Sequence, residues 1–424
     1  MIKASYWEID QCRICGSSHL EPVLDLGVQK LTGVFPRSRE EVITSGPLEL
    51  VRCDDSQNPA ACGLLQLRHS YDSAELYGAN YGYRSGLNQS MVSHLKEIAR
   101  KAYELAAPQP GDLVLDIGSN DSTLLQAFSG LGLDLVGIDP TGTKFKQFYP
   151  PHIQLIPDFF SADSFRQQLG PRQAKIITSI AMFYDLAAPL DFMRQVHQVL
   201  AEDGVWVFEQ SYMPAMLEAN AYDTVCHEHL EYYSLRQIKW LTDLAGFKII
   251  AVELNETNGG SFCVTAARKE AVFPEAVQAI RQILTRETEM NLSTPAPYQS
   301  FAARVFKHHN QLSETLHCIK RSGQTVLGYG ASTKGNVLLQ FCHLAEGDIP
   351  MIAEVNPDKF GCYTPGTLIP IISEVAARAM NPDYFLVLPW HFRSHIVARE
   401  QEYLSKGGKL IFPLPKIEIV GQKG

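Results

Sequence analysis

Three adjacent residues, His227, Glu228 and His229, place two imidazoles and a carboxylate in one short stretch, with the phenols Tyr232 and Tyr233 just behind them. An imidazole accepts a proton near physiological pH, a neighbouring carboxylate can orient it and steady its cation, and a phenol can donate to a developing oxyanion. General acid–base work is the chemistry these types support. The H-E-H spacing excludes the zinc hydrolase pattern H-E-x-x-H, whose histidines lie one helical turn apart. Residues at i and i+2 share a face only in extended chain, so one of His227 and His229 is expected to face a ligand, with Glu228 behind it. The cluster also reads as polar packing ahead of a helix over 235–245, with Ser234 as its N-cap.

Two glycine-rich turns offer ligand sites of opposite charge. In the first, the apolar run VLDIG leads into Ser119-Asn120-Asp121, and a second run, VGID, ends at Asp139-Pro140, 23 residues after Asp116. Gly118 lets backbone approach a ligand, and an acid ending the second strand can accept from ribose hydroxyls. The turn lacks the further glycines of a dinucleotide site, and Asp121 would repel a pyrophosphate. An acidic turn suits a cationic ligand without phosphate, which describes S-adenosylmethionine, with Asp116 at its amino-acid portion and Asp139 at its ribose. Gly118, Asn120, Asp121 and Pro140 complete that turn, and Ala181 follows the run KIITSI at another strand's C-terminal end, the edge where such sheets bind ligands. A nicotinamide site and a purely structural turn are the competing readings.

In the second turn, residues 327–335 read LGYGASTKG. Gly330 permits close approach, Ser332 and Thr333 offer hydroxyls, Lys334 adds charge, and a helix N-terminus presents free amides. That combination suits a diphosphate. A nicotinamide dinucleotide is again the rival: the next strand ends in Asn356 rather than an acid, although Glu354 keeps the option open. Tyr329, Tyr363 and Trp390 could stack on a base or a sugar, or belong to the core.

Of nine cysteines, four stand as two pairs, Cys12/Cys15 and Cys53/Cys62, separated by 37 residues. Four thiolates suit a tetrahedral zinc site that leaves no open position, hence a structural ion. A buried apolar role for Cys53 or Cys62 is the alternative. The other five show no ligand spacing.

These groups need elements to hold them. A helix is expected over 88–106, with Met91, Leu95, Ile98, Ala102 and Leu105 on one face, after a Tyr/Gly/Ser-rich connector at 71–90. Near-continuous apolar runs (LVLDIG, DLVGID, IQLI, KIITSI, GVWVFEQ) read as parallel strands buried on both faces. FKIIAVEL and SFCVTAAR read as a closing antiparallel hairpin. Long helices over 274–292 and 298–322 lead to a second series: TVLGYG, PMIAEVN, YFLVLPW and KLIFPLP. The chain after the first cysteine pair reads as loop. The expected fold is α/β: a zinc-binding module over 1–75, a doubly wound domain over 76–270 and a second α/β domain over 271–424. A length of 424 residues accommodates three such units. The net charge of −9 leaves no basic field for nucleic acid or an anionic membrane. Without a signal-peptide pattern or an apolar run near 20 residues, the expected compartment is the cytoplasm. Oligomeric state is not legible, and a monomer is compatible with every motif.

In order along the chain, the two cysteine pairs, DIGSND at 116–121, YDTVCHEHLEYYS at 222–234, NGGS at 258–261, GYGASTKG at 328–335, NPDKFG at 356–361, YTPG at 363–366 and the pair Gly407-Gly408 resemble the sugar C-methyltransferases of deoxysugar biosynthesis. The resemblance spans Cys12 to about Pro415. It implies a zinc module, a central class I (Rossmann-like) S-adenosylmethionine domain and a C-terminal Rossmann-like domain holding the nucleotide of an NDP-4-keto-deoxysugar. It further implies His229 as the base that makes an enolate for methylation at C3. Adenine contacts are implied at Asp158 and Phe159, with Asp158 favoured and Phe160 assigned to the core. Substrate-facing residues on this reading are Tyr83, Cys226, Asn258, Tyr329, Thr333, Lys334 and Trp390. Departures from the family pattern are the eight residues between Cys53 and Cys62, Ser122 for a glycine, Cys226 for a tyrosine, and Trp390-His391 for Trp-Asn. O- or N-methyl transfer to a nucleotide sugar, and a nicotinamide-linked oxidoreductase using the Gly328 turn, are the alternative activities.

Overall fold

The computed structural model describes residues 6–56, 60–77 and 83–421. Five strands come first: β1 (Tyr6–Glu8), β2 (Leu20–Lys30), β3 (Ser45–Cys53), β4 (Leu65–Leu67) and β5 (His69–Tyr71). The stretch expected as loop is therefore mostly sheet. Leu24, Leu26, Leu48 and Leu50 alternate onto one buried face, but register shifts at Pro22/Leu24 and Asp25/Val28 break the period that would have revealed it.

The central series comprises β6 (Leu113–Ile117), β7 (Asp134–Ile138), β8 (Ile153–Ile156), β9 (Ala174–Ile180), β10 (Leu200–Ser211), β11 (Glu231–Tyr232), β12 (Phe247–Asn255) and β13 (Ser261–Arg268). All but β11 form one sheet in the order β12-β13-β10-β9-β6-β7-β8. It is parallel from β8 to β10 and closed by the antiparallel β12–β13 hairpin. The chain order reverses between β6 and β9, which opens a crevice at their C-terminal ends. Every residue of β6 is buried, because helices cover both faces.

One covering helix is Gln89–Ala106, capped by the Asn88 side chain, which accepts from Ser90 N at 3.0 Å. Met91, Leu95, Ile98 and Ala102 are buried as expected. Leu105 is 40% exposed, and Ala106 takes its place in the last turn.

The C-terminal series is β14 (Val326–Tyr329), β15 (Ile352–Glu354), β16 (Ile371–Ser373), β17 (Tyr384–Val387), β18 (Lys409–Phe412) and β19 (Glu418–Val420). The sheet order is β16-β15-β14-β17-β18-β19, with only β19 antiparallel, and the order reverses between β14 and β17. Three-residue β16 and β19 were too short to show as patterns.

The units interlock. β11, deep in the central stretch, pairs antiparallel with β4 as the edge of the sheet β11-β4-β3-β2. Cys12, Cys53 and Cys62 share an apolar cluster with Tyr233, Leu235 and Ile238. A boundary after residue 75 therefore cuts through both a sheet and a core. Among the described residues no helix is long and apolar enough to cross a membrane.

Candidate active site

The Sγ atoms of Cys12, Cys15, Cys53 and Cys62 lie within 4.8 Å of one another. Cys12 and Cys62 are 3.5 Å apart, as are Cys15 and Cys53. A disulfide needs about 2.05 Å, whereas tetrahedral zinc with bonds of about 2.3 Å spaces sulfurs about 3.8 Å apart. The cluster fits zinc. β3 ends in Cys53, whose amide donates to Leu64 O at 2.8 Å, and Gln237 Nε2 donates to Cys62 O at 2.8 Å. Gln237 belongs to the helix Leu235–Leu244, where Ser234 is the N-cap and its amide donates to Gln237 Oε1 at 3.0 Å.

Two cavities lie beside the crevice of the central sheet, of about 470 Å³ and about 700 Å³. Tyr83, Met91, Ala181, Asp185 and Asn258 are walls of both, so one leads into the other.

The smaller cavity is lined by Asp116, Gly118, Asn120, Asp139, Pro140, Phe159 and Ala181. Asp139 is held as a clamp: Oδ2 accepts from Asn120 N at 2.7 Å and Oδ1 from Thr141 N at 2.6 Å. Asp116 accepts from Thr178 Oγ1 at 2.6 Å, and burial, with Asp139 adding to it, pushes its carboxyl up to about 7. A cation would draw that group back to its ionised form, so the donor set fits the sulfonium and ammonium of S-adenosylmethionine.

Two cofactor candidates are not brought there. Asp121 accepts from Gly86 N at 2.9 Å and Thr123 Oγ1 at 2.6 Å, so its carboxylate fastens the Ser85–Leu87 turn. Asp158 is exposed and folds onto Phe159 N at 2.7 Å. Phe160, expected only in the core, both packs edge-on to Phe192 at 5.4 Å and lines the cavity.

The larger cavity holds Glu228 and His229, but not His227. His229 Nδ1 stands 2.9 Å from the Thr224 carbonyl, which can only accept, so Nδ1 carries the hydrogen and Nε2 keeps its lone pair. The Tyr184 ring packs on the imidazole at 4.3 Å. Burial, then the charge of Lys334, holds its pKa down to about 3, so it is neutral throughout the physiological range. His227 points the other way, fully buried, edge-on to Tyr71 at 4.7 Å with Nε2 3.4 Å from Gly46 O. As a catalytic candidate it is corrected to a packing residue, because alternate residues here face opposite sides. Burial raises Glu228, with the Cys226 thiol and Thr32 hydroxyl opposing, and a Cβ on Gly33 would collide with its Oε1.

Tyr329, Thr333 and Lys334 line the same cavity. Ser332 caps the helix Thr333–Phe341 by accepting from Gly335 N at 3.0 Å. Lys334 Nζ donates to Asn258 O at 2.9 Å, on the turn between β12 and β13. Two substrate candidates lie outside the lining. Cys226 is fully buried in the apolar cluster, and Trp390 is buried with Nε1 donating to Asp223 Oδ2 at 2.8 Å. Tyr363 stands outside as well, under the Arg39 guanidinium at 5.0 Å. Walls that sequence reasoning did not assign are Asp185, Glu209, Lys359, His391 and Arg399. Lys359 and His391 sit in the NPDKFG and Trp-His motifs, which carried no role for them, while Arg399 has no local signal.

Family models match in series along the chain: a zinc binding domain over residues 12–77, a methyltransferase domain over 91–252 and a C-methyltransferase C-terminal domain over 256–415. The C-methyltransferase NovU of Streptomyces niveus is 30% identical over 416 residues, 97% of each chain. The chain belongs to the C-methyltransferase family. Among solved structures, the methyltransferase CcbJ of Streptomyces caelestis (14% identity, TM-score 0.33) overlaps 41% of this chain and 89% of its own. The 1,6-didemethyltoxoflavin-N1-methyltransferase of Burkholderia thailandensis (10%, TM-score 0.33) overlaps 41% and 77%. As a C-methyltransferase, the protein is an S-adenosylmethionine-dependent enzyme with an N-terminal zinc-binding module. The oxidoreductase alternative gives way to that membership.

Proposed function

We propose that this C-methyltransferase transfers a methyl group to C3 of an NDP-linked 4-keto-deoxyhexose in deoxysugar biosynthesis. The observation that carries the reading is His229. Its Nδ1–H is fixed on a carbonyl and its neutral Nε2 belongs to a cavity that opens on one side toward Asp116 and Asp139, and on the other reaches the Gly330–Lys334 turn. A sugar C–H becomes acidic only beside a carbonyl, so carbon methylation needs a base at C3 next to a 4-keto group. His229 Nε2 takes the C3 proton, and the C–H electron pair becomes the enolate double bond. Bound S-adenosylmethionine supplies an electrophilic methyl, whose bond electrons leave with sulfur.

Asp116, Gly118, Asn120, Asp139, Pro140, Phe159 and Ala181 are assigned to the cofactor, and Tyr83, Asn258, Tyr329 and Thr333 to the sugar nucleotide. Four cysteines gathered for a metal, five others outside any disulfide, and a nucleotide-sugar substrate suit the cytoplasm. In D2O without cofactor, a 4-keto nucleotide sugar should exchange its C3 hydrogen by NMR, and His229→Ala should lose that exchange. Unchanged exchange in His229→Ala removes the base assignment. No exchange in the unsubstituted enzyme sinks the carbon route and leaves O- or N-methyl transfer.

A further inference from the structure

When a proton leaves C3 beside a ketone, the charge left behind collects on the C4 oxygen. A cavity built for that step needs donors at the oxygen as well as a base at the carbon. His229 supplies the base alone. Lys334 and His391 line the same cavity.

Lys334 opens the helix Thr333–Phe341 together with Thr333, yet its ammonium reaches across to the Asn258 carbonyl, 2.9 Å away on the β12–β13 turn. Among the described residues it makes no ion pair. Burial pulls the Lys334 pKa down, and Asp223, the carboxylate that most favours its ammonium, accepts from Trp390 Nε1 at 2.8 Å. His391 follows Trp390, and its Nδ1 is buried without a partner. Burial first, and then the positive charge of Lys334, keeps both His229 and His391 neutral. The half-buried Lys334 ammonium thus stands with two neutral imidazoles around one space, which Lys359 and Arg399 also line.

We propose that Lys334 and His391 hold the C4 oxygen of the substrate as it becomes an enolate, opposite His229, and that Lys334 is not a diphosphate ligand. The proposal rests on the 4-keto reading of the function. His229 Nε2 takes the proton from C3, the C–H pair forms the C3–C4 double bond, and the carbonyl π pair moves to oxygen, where the Lys334 ammonium and the His391 N–H donate. Among Lys334, His229 and the sugar, the step starts with one cation and ends with two cations and one anion, so their summed charge is unchanged. Without Lys334 the enolate loses its charged donor and keeps only the His391 N–H, which is costly at a site withdrawn from water.

The test is C3 hydrogen exchange in D2O, without S-adenosylmethionine and at saturating 4-keto nucleotide sugar, beside calorimetric affinity for that sugar. Lys334→Met should slow exchange about 10²- to 10³-fold, the loss typical of one oxyanion donor, while affinity changes less than about threefold. His391→Ala should slow exchange about tenfold or more. Methylammonium should restore part of the exchange in Lys334→Ala, which a merely structural lysine would not allow. Weakened sugar affinity with undiminished exchange at saturation would return Lys334 to the diphosphate and overturn the proposal. Exchange unchanged in both variants overturns it too. If Lys334→Met fails to fold, read by lost S-adenosylmethionine binding, His391→Ala and the amine rescue decide. If the unsubstituted enzyme itself shows no exchange, the 4-keto reading falls and takes this proposal with it.

Discussion

The two glycine turns share one construction and differ in what it carries. In each, the first strand of a doubly wound sheet ends at a glycine with positive φ, 76° at Gly118 and 82° at Gly330. In each, the acid near the end of the second strand clamps the turn: Asp139 accepts from Asn120 N at 2.7 Å, and Glu354 from Ala331 N at 2.8 Å. Such an acid is thus first a structural device, and its presence alone says nothing about ribose. The difference lies on the helix side of the clamp. The first turn enters a four-residue helix through Ser122, itself in the left-handed region, with buried Asp116 beneath it. The second enters a nine-residue helix through a properly capped Ser332 and carries Lys334. One backbone device thus presents a carboxylate at one site and an ammonium at the other.

The largest expected asymmetry is steric. A Cβ on Gly330 would meet Pro389 Cγ and Cδ at 2.7 Å, while on Gly118 it would meet the flexible Met182 side chain, Cγ at 3.1 Å and Cβ at 3.4 Å. Gly330→Ala should therefore cost about 3 kcal/mol in urea unfolding, and Gly118→Ala about 1 kcal/mol. Equal costs would break the comparison.

The next is electrostatic. The Asp116 carboxyl, raised to about 7 by burial, must lose its proton to meet a cation. Affinity for S-adenosylmethionine should be constant above that pH and fall about tenfold per unit below it. Asp116→Asn should bind more weakly at high pH and lose the slope. A flat calorimetric profile in the unsubstituted enzyme would remove Asp116 from the cofactor's charge balance.

The smallest concerns the cap. Ser332→Ala should cost about 1 kcal/mol in thermal unfolding by freeing the Gly335 amide. No change would mean that the second turn owes its shape to packing alone.

Much of this was legible because the responsible interactions are local. Ser234 announced the helix it begins, the apolar face from Met91 announced the one over 89–106, and the strands around Asp116 and Gly328 are apolar runs that only a doubly covered sheet explains. What stayed hidden depends on distant partners. β11 is two residues long and exists because β4 is there to pair with it. His227 and His229 have the same side chain two positions apart, and only Gly46 and Thr224 reveal which one is packed away. The turn motif advertised Lys334 as a charge, but the Asn258 carbonyl decides where that charge goes.

The strand β11 has a consequence for how such enzymes can be recombined. Leu67 N donates to Leu230 O at 2.9 Å, and Leu230 N donates to Tyr184 O at 2.8 Å, so a relay of backbone bonds joins the metal-bearing sheet to the residue next to His229. A chimera that exchanged residues 12–77 between relatives would replace one side of that relay and leave the other native. The heritable unit is therefore discontinuous, the cysteine module together with the 226–237 segment. The C-terminal domain is bound into the same unit, because Asn336 Nδ2 donates to Thr32 O at 2.7 Å and Leu48 and Leu50 share an apolar cluster with Val326 and Leu338, so substrate scope should not travel with that domain alone.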